Sequence, residues 1–245
     1  MELIVFAGPS LCGVSCEAWP MIEFRPPAAC GDIARAAESS PRAIGLIDGF
    51  FETTASPWHK EILWALSKEI AVLGGASLGA LRAAELAPFG MIGVGRIFEA
   101  YRDRVIEDDA EVAVLHGPAE LDYPNLTEAL VNVRCALRRA RRAGIISAPD
   151  ETLLLGAASA IFYKDRSWAL ILERAAGLGV SASAIEAIGG WLAENPVDAK
   201  REDALELLAA IASPELRSRR TGAEHAFVDT VFFADLRRRL RIGES

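Results

Sequence analysis

A serine within a glycine-rich turn is the residue of this chain best suited to covalent chemistry. Residues 75–79 have the pattern G-x-S-x-G around Ser77, between an apolar run of strand length and a helix-forming run. Such a turn presents the hydroxyl at the carboxyl end of the strand, where N–H groups of the next helix stabilise an oxyanion. The alternative is a plain turn in which Ser77 caps the helix or the turn binds an anion.

A serine nucleophile needs a base within hydrogen-bond reach and a group that orients the base. We predict His59 as the base, because it begins the helix after the strand that ends at Asp48 and so lies at the same edge as Ser77. Asp48 is predicted to orient it, with an Asp-Gly turn as the alternative. Lys60 is an alternative base. The alternative for His59 is a histidine that is only hydrogen-bonded at a helix terminus.

The remaining histidines and cysteines do not follow a metal-site pattern. His116 comes after an acidic run, where a solvated loop is favoured over a base or a metal ligand, and His225 lies far along the chain. The four cysteines are Cys12, Cys16, Cys30 and Cys135. They form neither a CxxC pair nor a zinc-ligand set, so mostly structural, reduced thiols are expected. A catalytic role for Cys12 or Cys16, which follow the first strand, is the less favoured alternative. We predict neither a metal nor a cofactor.

Apolar runs of strand length alternate with helical segments in the first half of the chain. Predicted strands cover residues 2–7, 21–24, 43–47, 70–73 and 91–94, and predicted helices cover residues 31–38, 58–67 and 81–87. Continuous apolar strands that alternate with helices are typical of a parallel sheet buried on both faces. We therefore predict an α/β fold with a Rossmann-like parallel sheet in the N-terminal half.

Ligands of such sheets bind beyond the carboxyl ends of the strands. Three predicted strands end there in polar or turn-forming residues, at 8–10, 48–50 and 75–77, and we expect these segments to converge. The residues expected to bind a substrate tail or an oxyanion are Gly8, Ser10, Gly49, Gly75, Leu78 and Arg82.

The second half of the chain reads as helix after helix. Predicted helices cover residues 127–143, 150–163, 168–176, 181–193, 201–212 and 225–240. The net charge of −8 lies entirely within residues 1–120, while residues 121–245 are neutral overall. This contrast supports a division into an α/β domain, residues 1–120, and an all-helical lobe, residues 121–245.

Composition narrows the class of protein. The chain has 245 residues, of which 51% are hydrophobic and 24% charged, as in globular proteins with a sizeable core. The negative net charge argues against a nucleic-acid surface, and no apolar run has the length of a membrane span. The N-terminal residues indicate a first strand rather than a signal peptide, so a cytoplasmic protein is expected.

Several longer motifs resemble those of the TfuA-like protein family. They are IVFAGPSL, IDGFF, WHKEILWAL, GGASLGALRAAEL, FGMIGVGRIFEAY and IEDDAEVAVLHGPAE. The resemblance covers residues 1–120 and continues more loosely through VNVRCAL and IFYKDRSW. It implies an accessory role beside a YcaO-type enzyme, which uses ATP to activate a backbone amide of a precursor peptide.

The resemblance further implies that the sulfur of the resulting thioamide comes from a ThiS-like carrier with a C-terminal thiocarboxylate. Cleavage of a thiocarboxylate is acyl transfer, which is the chemistry that the turn at Ser77 predicts. The hypothesis is thus a hydrolase that releases sulfide from the carrier. The alternatives are a non-catalytic adaptor that recruits the carrier to the YcaO-type enzyme and, less favoured, a serine esterase.

Overall fold

Five apolar runs form a parallel sheet in the computed structural model, which describes residues 2–50, 54–218 and 226–242. The strands are β1 (Leu3–Phe6), β2 (Ile22–Arg25), β3 (Ala43–Leu46), β4 (Ala71–Gly75) and β5 (Ile92–Val94). Their order is β2-β1-β3-β4-β5, and each neighbouring pair is parallel. The central strands β1, β3 and β4 are buried along their whole length. The predicted α/β fold with a parallel sheet is confirmed.

Helices follow the strands and alternate with them. They are α1 (Asp32–Glu38), α2 (His59–Ser67), α3 (Leu78–Leu86) and α4 (Arg96–Arg102). The sequence predicts α1 and α2 to within one residue at each end and places the start of α3 three residues too late, and it does not predict α4. This helix has seven residues and begins directly after β5, so its apolar pattern is too short to mark a separate element.

Helices pack on both faces of β4. A Cβ placed on Gly74 would lie 3.0 Å from the Ala83 Cβ of α3, whereas one on Gly75 would lie 3.3 Å from Leu207. Successive residues of a strand face opposite sides of the sheet, so α3 and the helix that carries Leu207 cover opposite faces. A strand that is apolar along its whole length needs other elements packed on both faces of the sheet, and α3 and the helix that carries Leu207 provide this here.

The chain divides into two compact units, residues 1–107 with 201–245 and residues 108–200. The second unit contains α5 (Leu130–Arg142), α6 (Ala148–Ser159), α7 (Trp168–Gly177) and α8 (Ala182–Glu194). Their core is a cluster of aliphatic side chains that includes Leu137, Leu154 and Ile171. Among the described residues, no helix has the length and apolar character needed to cross a membrane.

The last part of the chain returns to the unit that contains the sheet. It forms α9 (Ala199–Ala212), α10 (Pro214–Ser218) and α11 (Val231–Leu240). Leu207 and Ile211 of α9 are fully buried in one cluster with Val5 and Leu73 of the sheet. Residues 201–245 thus belong to the same compact unit as the sheet. The predicted helix at 225–240 starts at 231 in the described residues, and its first predicted residue, His225, lies outside them.

Candidate active site

The carboxyl ends of β1, β3 and β4 lie side by side, because the three strands are parallel neighbours. Phe6 pairs with Leu46, and Leu46 pairs with Gly74, so the residues that follow these three leave the sheet at one edge. The predicted convergence of the three strand ends is confirmed. This edge of the sheet, at the ends of β1, β3, β4 and β5, is called the strand edge below.

The chain turns sharply from β4 into α3 at Ser77. Ala76 has a φ of 64°, and the N–H of Ser77 donates to the carbonyl of Gly75 at 2.8 Å. A left-handed backbone is uncommon for a residue with a side chain, and such strained residues cluster at functional sites. Ala76 is fully buried and Ser77 is 7% exposed, so the core holds this conformation in place. A strained strand-to-helix turn is the distinguishing feature of a nucleophile elbow.

The hydroxyl of Ser77 does not cap the helix that it precedes. Ser77 occupies the N-cap position of α3, yet its side chain accepts no hydrogen bond from a helix N–H. Among the described residues, the N–H of Leu78 also has no hydrogen-bond partner, as is usual in a first helical turn. A hydroxyl and an N–H donor thus lie together at the turn, which is what attack and oxyanion stabilisation require.

The start of α3 is in direct backbone contact with the end of β3. The N–H of Gly79 donates to the carbonyl of Ile47 at 3.1 Å, and a Cβ on Gly79 would lie 1.7 Å from the carbonyl oxygen of Leu46. Glycine is the residue that permits such a close backbone approach. Gly49 lies against the Leu78 side chain. These contacts fix the turn before α3 relative to β3.

Asp48 holds the loop after β1. Its Oδ2 accepts the N–H of Gly8 at 2.9 Å and that of Ser10 at 3.0 Å, and its Oδ1 accepts the Ser10 hydroxyl at 2.8 Å. Asp48 and Ser10 are each 1% exposed. The hydrogen bonds of Ser77 and His59 include none to Asp48. The structure therefore brings Gly8, Ser10 and Asp48 together, in an arrangement that orients a loop rather than a histidine.

Asp48→Asn is expected to destabilise the protein by about 2 to 3 kcal/mol, because an amide replaces two charge-assisted acceptors with one neutral acceptor and one donor. The amide oxygen can still accept the N–H groups of Gly8 and Ser10, but as a neutral acceptor, and the amide nitrogen then faces the Ser10 hydroxyl, which must turn to accept. Urea unfolding of the two proteins measures this difference. Asp103→Asn is the control, since Asp103 pairs with Arg102 at the surface, and it should unfold close to wild type. An Asp48→Asn protein as stable as this control would contradict the assignment.

His59 is hydrogen-bonded to Glu85 at the protein surface. Its Nε2 lies 2.8 Å from Oε2 of Glu85, which also accepts from the Arg82 guanidinium at 2.7 Å. Burial alone would raise the pKa of Glu85, but the hydrogen bonds from His59 and Arg82 lower it. Arg82 also donates to the carbonyl of Pro57 at 3.4 Å. The structure brings His59, Arg82 and Glu85 together and does not join His59 to Ser77 by a hydrogen bond.

Lys60, the alternative base, contacts Phe227 and Val228 rather than Ser77. Its ammonium donates to the carbonyl of Val228 at 2.8 Å and lies 5.3 Å from the centre of the Phe227 ring. These contacts direct the ammonium towards Phe227 and Val228, whereas His59 contacts Glu85 of α3, the helix that follows Ser77. Between the two candidate bases, the geometry favours His59.

Cys30 and His116 are not favoured as further reactive groups of the candidate site. Burial, followed by the nearby Glu61, raises the pKa of Cys30 to about 11, which disfavours a thiolate nucleophile. His116 belongs to the second unit, where its Nδ1 lies 2.8 Å from the carbonyl oxygen of Gly117. Across the described ranges, no group of three or more His, Cys, Asp and Glu side chains is placed to hold a metal.

Two buried carboxylates at helix starts were not predicted from the sequence. Glu61 accepts N–H groups at the start of α1, and burial raises its pKa in spite of those hydrogen bonds. Asp203 of α9 accepts the N–H groups of Arg96 and Ile97 at the start of α4. The only sequence signal for Glu61 is its place in the first turn of α2. Asp203 has none, because an acidic residue in a helix usually faces solvent.

Residues 48–167 match the family model described as TfuA-like protein. The matched segment includes Asp48, His59, Ser77 and Arg82 but not the loop after β1. The resemblance inferred from the sequence motifs is confirmed. No curated protein matches the chain.

Proposed function

We propose that this chain, which contains a TfuA-like domain, is an accessory protein of a YcaO-type enzyme in peptide-backbone thioamidation. In this role it hydrolyses the C-terminal thiocarboxylate of a ThiS-like carrier and delivers sulfide. The observation that carries the proposal is the turn at Ser77. Its backbone is strained at Ala76, the Ser77 hydroxyl does not cap α3, and the N–H of Leu78 lies beside it. The family match supports the biological setting, and the turn supports the chemistry.

The proposed reaction has two acyl-transfer steps. The Ser77 oxygen attacks the carbonyl carbon of the thiocarboxylate while a base takes the hydroxyl proton, and the oxyanion is stabilised by N–H groups at the start of α3. The base then gives its proton to the sulfur, the carbon–sulfur bond breaks, and sulfide leaves as HS⁻. Water attacks the resulting ester, so that the carrier departs with a carboxylate and the serine regains its proton. One water is consumed for each sulfide released.

His59 is the proposed base. Its exposed ring bonds to Glu85 in the structure, so the proposal requires the ring to turn towards the strand edge when the carrier binds. Catalytic hydrogen bonds often form only in the substrate complex, so the unbound geometry does not exclude this role. Glu85 would then stabilise the imidazolium, in the way that a carboxylate supports a catalytic histidine.

The carrier tail is proposed to lie at the strand edge with its negative end near an arginine. A tail of glycines offers no side chains, so recognition depends on backbone contacts and on the terminal charge. Arg82 is already bonded to Glu85 and Pro57. The exposed guanidinium of Arg96 has no hydrogen bond or ion pair with a described residue. Arg96 is therefore the stronger candidate for this contact.

The alternative proposal is a non-catalytic adaptor. It is favoured by the observation that His59 is bonded to Glu85 and not to Ser77. In this case the turn at Ser77 binds the carrier tail as an anion site, and the YcaO-type enzyme performs all the chemistry.

Sulfide release from a thiocarboxylated carrier by the purified protein tests the proposal. We expect turnover by the wild type, a loss of about a hundredfold or more in His59→Ala, and little change in Lys60→Ala. The matched pair separates the two candidate bases, because they are adjacent residues of the same helix. The measurement is sulfide formed per protein over time, with carrier binding followed separately.

Three other outcomes decide between the alternatives. A wild type that binds the carrier and stimulates a YcaO-type enzyme without releasing sulfide would support the adaptor. Cleavage of simple esters without any carrier would support a serine esterase. A large loss in Lys60→Ala with full activity in His59→Ala would exchange the roles of the two bases.

A further inference from the structure

Asp203 lies at the strand edge although it belongs to a helix late in the chain. Its helix, α9, crosses the sheet so that Leu207 contacts Gly75 of β4. Asp203 lies one helical turn before Leu207. Its side chain packs against Gly95, the residue directly after β5. Because Gly75 is paired with Val94 in the sheet, Asp203 sits one strand away from the turn at Ser77.

The carboxylate of Asp203 is enclosed by the start of α4. Its Oδ1 accepts the N–H of Arg96 at 3.1 Å, and its Oδ2 accepts the N–H of Ile97 at 2.7 Å. Gly95 has a φ of 90°, and a Cβ there would lie 2.3 Å from the Asp203 carboxyl carbon. The carboxyl group thus occupies the place where a side chain at Gly95 would be, and Asp203 is only 3% exposed.

The surroundings of Asp203 disfavour its ionised form. Burial raises its pKa to about 6, although the hydrogen bonds from Ile97 and Arg96 lower it. Two charged groups act on it, Glu206 of its own helix, which raises the pKa, and the Arg96 guanidinium of α4, which lowers it. Ionisation therefore costs stability at neutral pH. Groups kept in such a state are enriched at functional sites.

A tight contact connects Asp203 with the turn at Ser77. Gly75 pairs with Val94, and a Cβ on Gly75 would lie 2.7 Å from the Val94 carbonyl oxygen, so the last residues of β4 and β5 are in close backbone contact. Val94 precedes Gly95 and Arg96, which Asp203 holds. Because packed backbones move together, we expect a shift at the start of α4 to displace the residues that lead into Ser77.

We propose that Asp203 is a positioning residue of the candidate active site, which holds the first turn of α4 so that Arg96 and the turn at Ser77 keep the geometry needed for an anionic carrier tail. This inference rests on the proposed function. Asp203 acts through the backbone of Arg96 and Ile97 and does not touch the reacting atoms. Its ionised form accepts both N–H groups, whereas protonation converts one oxygen into a donor.

The pH dependence of sulfide release tests this role. We expect wild-type turnover to rise as the pH increases through about 6. Asp203→Asn should lose this rise and about tenfold or more of the rate, since small displacements of a positioned group have large kinetic effects. Asp203→Glu keeps the carboxylate and should restore part of both. Asp150→Asn is the matched control, because Asp150 also accepts an N–H at a helix start, but in the second unit.

The stability of the same variants gives a readout that does not depend on activity. The folded chain binds a proton at Asp203 between pH 3.8 and about 6, where the unfolded chain has lost it. Stability from this group therefore falls as the pH rises through that window, and Asp203→Asn should remove the fall. Amide hydrogen exchange should show reduced protection of Arg96 and Ile97 in Asp203→Asn, together with residues 75–79.

The outcomes separate this inference from the proposed function. An active wild type and an Asp203→Asn variant with the same rate and pH profile would overturn the inference alone. A wild type without turnover would overturn the hydrolase proposal, and hydrogen exchange would still decide the inference. Faster exchange confined to Arg96 and Ile97, with residues 75–79 unchanged, would reduce Asp203 to a helix cap and reject the positioning role.

Discussion

Replacing Ser77 by alanine is expected to lower sulfide release from a thiocarboxylated carrier by about a hundredfold or more, because the reaction loses its nucleophile. The fold should be retained. The Ser77 hydroxyl does not cap α3, and alanine keeps the Cβ that the turn already accommodates. A combined Ser77→Ala and His59→Ala protein should be no slower than the worse single variant, since a nucleophile and its base act as a unit.

Ser183→Ala provides the control for the loss of a hydroxyl. Ser183 is exposed in the second unit and bonds only to the Ser181 hydroxyl among the described residues, so its loss should leave turnover unchanged. Carrier binding by both variants is measured in parallel. Full turnover by Ser77→Ala would exclude a covalent mechanism. Loss of carrier binding by Ser77→Ala would instead place Ser77 in an anion site, as the adaptor proposal requires.

The sheet could be predicted from the sequence because its strands are short, apolar and buried on both faces. Residues 43–47 were predicted as a strand, and β3 covers Ala43–Leu46. The sequence places the end of β4 at residue 73, because glycines are typical of turns, but the strand continues through Gly74 and Gly75. Both glycines pair with β5, and their missing side chains make room for α3 and α9.

The place of α9 could not be predicted. Its buried residues, such as Leu207 and Ile211, have the spacing of an amphipathic helix, and that pattern is the same whether the helix packs on other helices or on a sheet. Only the folded chain shows that α9 covers one face of the sheet. For the same reason Asp203, which α9 brings to the strand edge, did not enter the predicted site.

The candidate site was predictable in position but not in its contacts. The convergence of the strand ends follows from parallel topology alone. The partner of each side chain depends on competition between nearby groups. Asp48 is surrounded by the N–H groups of Gly8 and Ser10, and His59 by Glu85. No sequence pattern ranks a backbone donor against an imidazole, so the roles of Ser77, His59 and Asp48 in catalysis stay predictions.

Gly79→Ala is expected to be among the most destabilising single changes in the chain. The added Cβ would lie 1.7 Å from the carbonyl oxygen of Leu46 and 2.6 Å from its carbonyl carbon, and neither is the end of a flexible side chain. To remove this clash, α3 must move away from β3, and that movement would break the hydrogen bond from the N–H of Gly79 to the carbonyl of Ile47. We expect a loss of at least about 3 kcal/mol in urea unfolding, or no soluble protein.

Gly156→Ala is the matched control for Gly79→Ala. Gly156 lies within α6, and a Cβ there would meet nothing within 4 Å. Alanine favours a helix over glycine by about 1 kcal/mol, so this variant should be more stable than wild type. The preference of helices for alanine would also stabilise Gly79→Ala. A loss of stability in that variant must therefore come from the contact between the new Cβ and the Leu46 carbonyl. A Gly79→Ala protein as stable as wild type would mean that α3 does not rest on the end of β3. In that case the elbow geometry at Ser77 would lose its support, and the covalent mechanism would have to be abandoned together with it.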